Sequence, residues 1–170
     1  MPVGVSGTPK AENVGAARLA GLEAEAEAKW APFALRASYT LLGTSNDARC
    51  APGCPPLPGR PAHDLVADAT VDVGPFVRAR WGLDVIAGMR FDEAGTIEIP
   101  TRALHSVGLR FSPTKELSWS VDVRDLFDQR TGTYAGFLGP VTAPLGDAFY
   151  YPLPGRTVLI SMRVTASGGP

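Results

Sequence analysis

The stretch Asp64-Leu65-Val66-Ala67-Asp68-Ala69-Thr70-Val71-Asp72-Val73-Gly74-Pro75-Phe76-Val77-Arg78-Ala79-Arg80-Trp81-Gly82-Leu83-Asp84 carries a period-two pattern on both sides of a turn signal. Leu65, Ala67, Ala69, Val71 and Val73 alternate with Asp64, Asp68, Thr70 and Asp72. After Gly74-Pro75, the run Phe76 to Met89 alternates again. There Val77, Ala79, Trp81, Leu83, Val85, Ala87 and Met89 share one face, while Arg78, Arg80, Gly82, Asp84 and Gly88 share the other, with Phe76 and Ile86 as exceptions. Successive side chains of a strand point to opposite faces, so the pattern specifies a hairpin with one apolar and one ionised face. A helix would scatter the same residues around its circumference.

The same signal recurs on either side. Upstream, Glu23, Glu25 and Glu27 alternate with Leu22, Ala24, Ala26 and Ala28 within Leu19 to Trp30. Ala and Glu favour helix intrinsically, but only a strand gathers the three glutamates on one face. After Ala31-Pro32, Phe33 to Leu42 places Phe33, Leu35, Ala37, Tyr39 and Leu41 opposite Arg36, Ser38 and Thr40. Downstream, Thr101 to Phe111 sets Ala103, His105, Val107, Leu109 and Phe111 against Arg102, Ser106, Gly108 and Arg110. Leu117, Trp119, Val121 and Val123 oppose Ser118, Ser120, Asp122 and Arg124, and Val158, Ile160, Met162 and Val164 oppose Ser161, Arg163 and Thr165. The expected fold is all-β, about seven antiparallel up-and-down strands.

Composition agrees with that class. Nineteen glycines and 16 prolines in 170 residues make about a fifth of the chain, against roughly an eighth on average, which argues against long helices. With 16 basic and 17 acidic side chains, the chain has no polyanion-binding excess, and nucleic acid is not an expected partner. No apolar run is long enough for a membrane helix, so a membrane would be crossed by strands. The connections alternate short and long: Ala31-Pro32, Gly43–Pro61, Gly74-Pro75, Phe91–Pro100, Ser112–Thr114 and Asp128–Gly155. Sorting of loops by parity is the habit of transmembrane barrels, with short turns on one rim and long loops on the other. Strands of nine to eleven residues suit a tilted membrane crossing, and Trp30, Phe33, Phe76, Phe91, Phe111 and Phe127 fall near strand ends, where interfacial aromatics belong. A soluble sandwich or lipocalin-like binding module is the alternative, since alternation alone serves a core as well as it serves lipid.

Cys50 and Cys54 flank Ala51-Pro52-Gly53 in a polar loop, the setting of a small disulfide-closed ring in an oxidising compartment. The start, Met1 to Val5, shows no basic and apolar leader pattern. Catalytic readings lack motif geometry: His105 and Ser106 occur without G-x-S-x-G, and neither they nor other residues are expected to be catalytic. His63 beside Asp64 has no companion ligands at metal spacing, and Gly132 to Gly139 has no phosphate-loop lysine. No metal and no cofactor is expected.

Several segments together resemble the TonB-dependent outer-membrane receptors, specifically the last strands of their barrel. Asn13-Val14-Gly15 followed by Gly21-Leu22-Glu23-Ala24-Glu25 is similar to that family's N-x-G and G-x-E strand start, and Ala37-Ser38-Tyr39-Thr40 to its next strand. Leu57-Pro58-Gly59-Arg60-Pro61-Ala62-His63 resembles the LPxRPxH segment where an outer loop re-enters the barrel. Asp125-Leu126-Phe127-Asp128 resembles the NLFD ending the penultimate strand, with Asp125 in place of the usual Asn, and Tyr150 to Thr157, with Pro154, Gly155 and Arg156, resembles the Y-x-x-P-G-R before the last strand.

The resemblance implies one barrel unit over residues 1–170, with 1–12 and 166–170 as expected flexible ends, in the outer membrane of a Gram-negative-type cell. It implies a parent receptor that takes up a scarce nutrient, such as a metal chelate or vitamin, with TonB-supplied energy. Outer-membrane lipid, the remaining strands and plug, and an energy-coupling protein met through an N-terminal part are the implied partners. Bacterial barrels have even strand numbers from eight upward, so about seven strands imply a C-terminal fragment. The ending Gly168-Gly169-Pro170 departs from the terminal aromatic of such barrels.

Overall fold

A computed structural model of the chain describes residues 16–47, 53–136, 139–144 and 153–165. Its strands are β1 (Ala17–Trp30), β2 (Phe33–Asn46), β3 (His63–Val73), β4 (Val77–Ala87), β5 (Met89–Arg90), β6 (Glu98–Ile99), β7 (Arg102–Phe111), β8 (Leu117–Arg124), β9 (Thr131–Gly136), β10 (Gly139–Pro144) and β11 (Thr157–Val164). Seven of them form one antiparallel sheet in the order β1-β2-β3-β4-β7-β8-β11. Spatial order follows chain order, so the sheet is an up-and-down meander. Helix-prone β1 is held as a strand because β2 pairs with it along its whole length, from Ala17↔Asn46 to Trp30↔Phe33.

The register carries the alternation across every strand. Trp30, Phe33, Val71, Ala79, Leu109, Val121 and Ile160 are successive direct partners, one from each strand of the sheet. Residues directly opposite one another share a face, so the apolar sets form one continuous apolar surface. Among the described residues no second layer lies over that surface: Ile160, Val164 and Met162 are 78%, 67% and 65% exposed. The only buried apolar side chains among the described residues are Met89 and Ile99, and neither lies in the main sheet. A sandwich would cover the apolar face with a second sheet, and the described residues form none.

The three short turns lie at one end of the sheet and the three long connections at the other, because each antiparallel step reverses the chain. Relative to the row through Trp30 and Ile160, the short-turn ends lie at Phe33 in β2, two residues beyond the row at Val73, Val77 and Phe111, and four beyond it at Leu117 and Val164. The strands therefore lean one way, the stagger that closing a sheet into a barrel requires. Among the described residues the sheet stays open, with β1 and β11 each having one neighbour.

Four details differ from the sequence reading. β2 runs on through Gly43, Thr44 and Ser45 to Asn46, residues that read as loop but have β1 as a partner. The run expected over Phe76 to Met89 ends at Ala87, since Gly88 turns at φ 68° and passes Met89 to a separate two-residue strand; Phe76 belongs to the turn. The long connections after β4 and β8, read as irregular, contain the small hairpins β5–β6 and β9–β10. Runs of two to six residues carry too little periodicity to be seen. Residues 1–15, with Asn13 to Gly15, and 166–170 lie outside the described residues.

Candidate functional site

The polar face is a concave wall. Its middle holds a trough of about 890 Å³ lined by Asp68, Arg80, Asp84, Arg110, Asp122 and Arg124, among others. Opposite charges meet across strands. The Arg78 guanidinium donates to Asp72 from Nε at 2.5 Å and from a terminal nitrogen at 3.0 Å. Arg80 pairs with Asp68 through two hydrogen bonds to one oxygen, and Arg36 reaches Glu27 at 3.4 Å. Small residues make room for these groups: a side chain at Gly82 would collide with Ser106 Oγ, and one at Gly108 with the Asp122 carboxylate. Two buried carboxylate oxygens of the trough, Asp84 Oδ1 and Asp125 Oδ2, have no hydrogen-bond donor.

Of the segments that resemble the family, 21–25 and 37–40 lie within β1 and β2, while 57–63, 125–128 and 153–156 form two separate clasps at the long-loop end. In the first, the Leu57 N–H donates to Thr44 Oγ1 at 2.9 Å and the Gly59 N–H to the Arg90 carbonyl at 2.8 Å. Gly59 takes φ 68°, a conformation that suits glycine. His63 opens β3, with its Nδ1 2.7 Å from the Tyr39 hydroxyl. This segment thus ties the outer loop to β2 and to the β5–β6 hairpin, where Met89 and Ile99 face each other as direct partners. Arg60 is exposed, and Pro58 and Pro61 are half-buried.

The second clasp joins two motifs 26 residues apart in number, at Asp128 and Pro154. Asp125 and Asp128 both have positive φ, 50° and 56°, the region that Asn and Asp tolerate best among non-glycine residues. That explains why the family's Asn can be Asp here. Asp125 Oδ1 accepts the Gln129 N–H at 3.0 Å, and the Leu126 N–H donates to the His105 carbonyl at 2.8 Å. Asp128 Oδ1 accepts the Arg156 N–H at 2.8 Å and Arg130 Nε at 2.7 Å. The Arg156 backbone bond first, then the Arg130 bond, hold the Asp128 carboxyl below its ordinary range. Gly155, at φ 75°, lies where any side chain would strike Arg130 and Asp128. A third outer carboxylate, Asp92, accepts from Ile97 N, Thr96 N and Thr96 Oγ1; burial raises its pKa, and these bonds together outweigh the burial and lower it.

His105 accepts from Trp81 Nε1 at 3.3 Å and meets the edge of Phe127 at 5.0 Å, while Ser106 points to the other face. Tyr39 and His63 stack at 6.2 Å. Phe111 and Trp119 stack at 5.9 Å and Trp30 and Phe33 lie 6.0 Å apart, both pairs at the short-turn end. Among the described residues no group of three or more His, Cys, Asp or Glu could hold a metal ion. Cys54 is disulfide-bonded, and Cys50 lies outside the described residues. Sequence reading placed the ionised residues on one face but missed their pairing, which becomes visible only with the register.

Among curated proteins none matches the chain in sequence. The family model described as TonB dependent receptor-like, beta-barrel matches residues 2–126, from before β1 to the end of β8. The meander, the uncovered apolar face and the ionised wall are what such a barrel requires of its strands, and the chain belongs to the TonB-dependent receptor-like β-barrel family.

Proposed function

We propose that the chain is the C-terminal wall of an outer-membrane receptor that imports a scarce nutrient, such as a metal chelate or a vitamin, using energy passed from a TonB-type protein through a plug inside the barrel. The observation that carries this reading is the backing of a charged trough by a continuous, uncovered apolar face. Lipid covers the apolar face, the remaining strands of the receptor pair with β1 and β11, and the plug fills the trough. Open strand edges cannot remain unpaired in hydrocarbon, so the parent barrel must supply both neighbours. The unpartnered oxygens of Asp84 and Asp125 give the plug two places to dock an N–H or a cationic side chain. The long connections face outward, and a Cys50–Cys54 disulfide closes a ring in the first of them.

The test is fractionation and uptake. The parent receptor is expected in the outer-membrane fraction, and cells carrying it should accumulate a labelled ferric chelate or corrinoid only while the inner membrane is energised. Recovery with the soluble proteins refutes the location; accumulation indifferent to uncouplers refutes the energy coupling. Intact mass measured without reductant checks the ring, which lightens the chain by two hydrogens.

A further inference from the structure

At the short-turn end of the polar face, a groove of about 500 Å³ runs beside the β7–β8 turn. Arg110 of β7 forms one wall and Arg163 of β11 the other, with Ser118 of β8 between them as a floor of small hydroxyl. The two arginine strands are separated by β8 alone, so their backbones are about 10 Å apart at the usual strand spacing. Lys115 adds a third cation from the turn, and Phe76 and Pro113 give the groove an apolar flank.

These three cations have no acidic partner among the described residues. Glu116, the acid of the adjoining turn, is not part of the lining. Arg110 is moreover the direct cross-strand partner of Arg78. Like charges in that position destabilise a sheet. Asp72 neutralises Arg78 through its two hydrogen bonds and leaves Arg110 without a carboxylate among the described residues. On the same face Arg80 and Arg36, by contrast, have the carboxylates of Asp68 and Glu27.

We propose that this groove is a docking site for an acidic peptide segment carrying both carboxylates and apolar side chains. Three spread cations suit several carboxylates along a chain better than one compact anion, because a single ion cannot touch walls two strand spacings apart without drawing both arginines inward. The Phe76 and Pro113 flank has no use in holding a bare phosphate but covers apolar side chains of a peptide. The groove opens at the end away from the long loops, so its peptide reaches it from the short-turn side. Only the compartment on that side rests on the proposed function; the groove and its chemistry do not.

The experiment uses the full chain in detergent micelles and a fluorescent peptide of glutamate and leucine separated by serine, followed by anisotropy. Binding is expected to weaken with added salt, to vanish for the peptide with glutamine in place of glutamate, and to weaken at least about tenfold in Arg110→Ser/Arg163→Ser. Lys115→Ser, in an exposed turn, gives a smaller loss without touching a strand, and Arg110→Lys restores part of the affinity. Arg18→Ser at the opposite end changes nothing. Equal binding by wild type and the double variant overturns the proposal, as does absence of binding by a chain whose circular dichroism shows β-structure. Full displacement of the peptide by inorganic phosphate shows a simple anion site and also overturns it. A chain that binds the peptide but fails to associate with vesicles would keep the groove and sink the membrane reading.

Discussion

Two regions of the molecule treat apolar side chains in opposite ways. In the outer layer, Met89 and Ile99 pair within a two-residue hairpin and are buried at 7% and 5% exposure beneath the loop clasped by Leu57 and Gly59. In the main sheet, far larger numbers of apolar side chains, with Val121 at 43% and Ile160 at 78% exposed, face outward with nothing against them. The long-loop end holds a small core stabilised by burial. The sheet is stabilised by its hydrogen-bonded ladder and needs an apolar solvent on one side. One chain thus contains both, divided at the strand ends.

The division is broken most severely by a charge on the apolar face. Val121→Arg in the folded barrel is expected to destabilise it by about 2–4 kcal/mol if the residue lies near the midplane, while Ser120→Arg, one residue away on the charged face, costs much less. Urea unfolding from lipid vesicles measures both, and equal losses would mean that the apolar face is not in lipid. Next comes the outer core. Met89→Ala is expected to cost about 2 kcal/mol, the low end for a buried methionine because so small a core relaxes easily. It should loosen residues 88–101 in limited proteolysis and leave unfolding of the sheet unchanged, whereas a coupled loss in both would erase the proposed division.

Acid should loosen the two carboxylate clasps of the long connections. Asp92 and Asp128 are held below the ordinary carboxylate range by hydrogen bonds to the folded state. A lowered folded-state pKa contributes stability above the unfolded value, near 3.9 for Asp, and that contribution is lost as pH falls through the folded-state pKa. Protection of the Ile97 and Arg156 amides, taken relative to the intrinsic exchange rate at each pH, should therefore hold from neutral pH down to about 4 and fall below it. Protection already lost at pH 6 would show that the carboxylates do not hold these amides. The smallest effect is expected from Asp125→Asn, which keeps the Oδ1 acceptor, removes a buried charge and suits positive φ better. A gain of less than about 1 kcal/mol in thermal unfolding is expected, and a loss of that size would show that Asp125 needs its charge.

The sheet was largely legible in the sequence because alternation is a local signal, repeated seven times with ionised residues such as Asp68, Arg80 and Asp122 on the polar parity. Even Leu22 to Ala28 declared itself against its helix propensity. The wall's ion pairs were not legible. Arg78 and Asp72 are six residues apart, but their meeting depends on where Gly74 turns, and Arg80 meets Asp68 only in one register. The motif residues were recognisable as strings, yet nothing in the string shows Asp128 receiving the Arg156 amide, a contact that depends on how the connection after β8 folds. β5 and β9 were invisible for want of length.

The meander also sets an order of events as the chain folds. Hairpins β1–β2, β3–β4 and β7–β8 close over connections of two to five residues, at 31–32, 74–76 and 112–116, whereas joining β8 to β11 spans 125–156. Loop-closure entropy grows with the logarithm of length, so the longest closure costs about 2 kcal/mol more than the shortest. Each hairpin can thus zip early and by itself, and the hairpins are then added side by side like slats. Because β11 closes over the longest connection, the edge of β8 stays open to a wrong strand for longer than any edge closed by a tight hairpin turn.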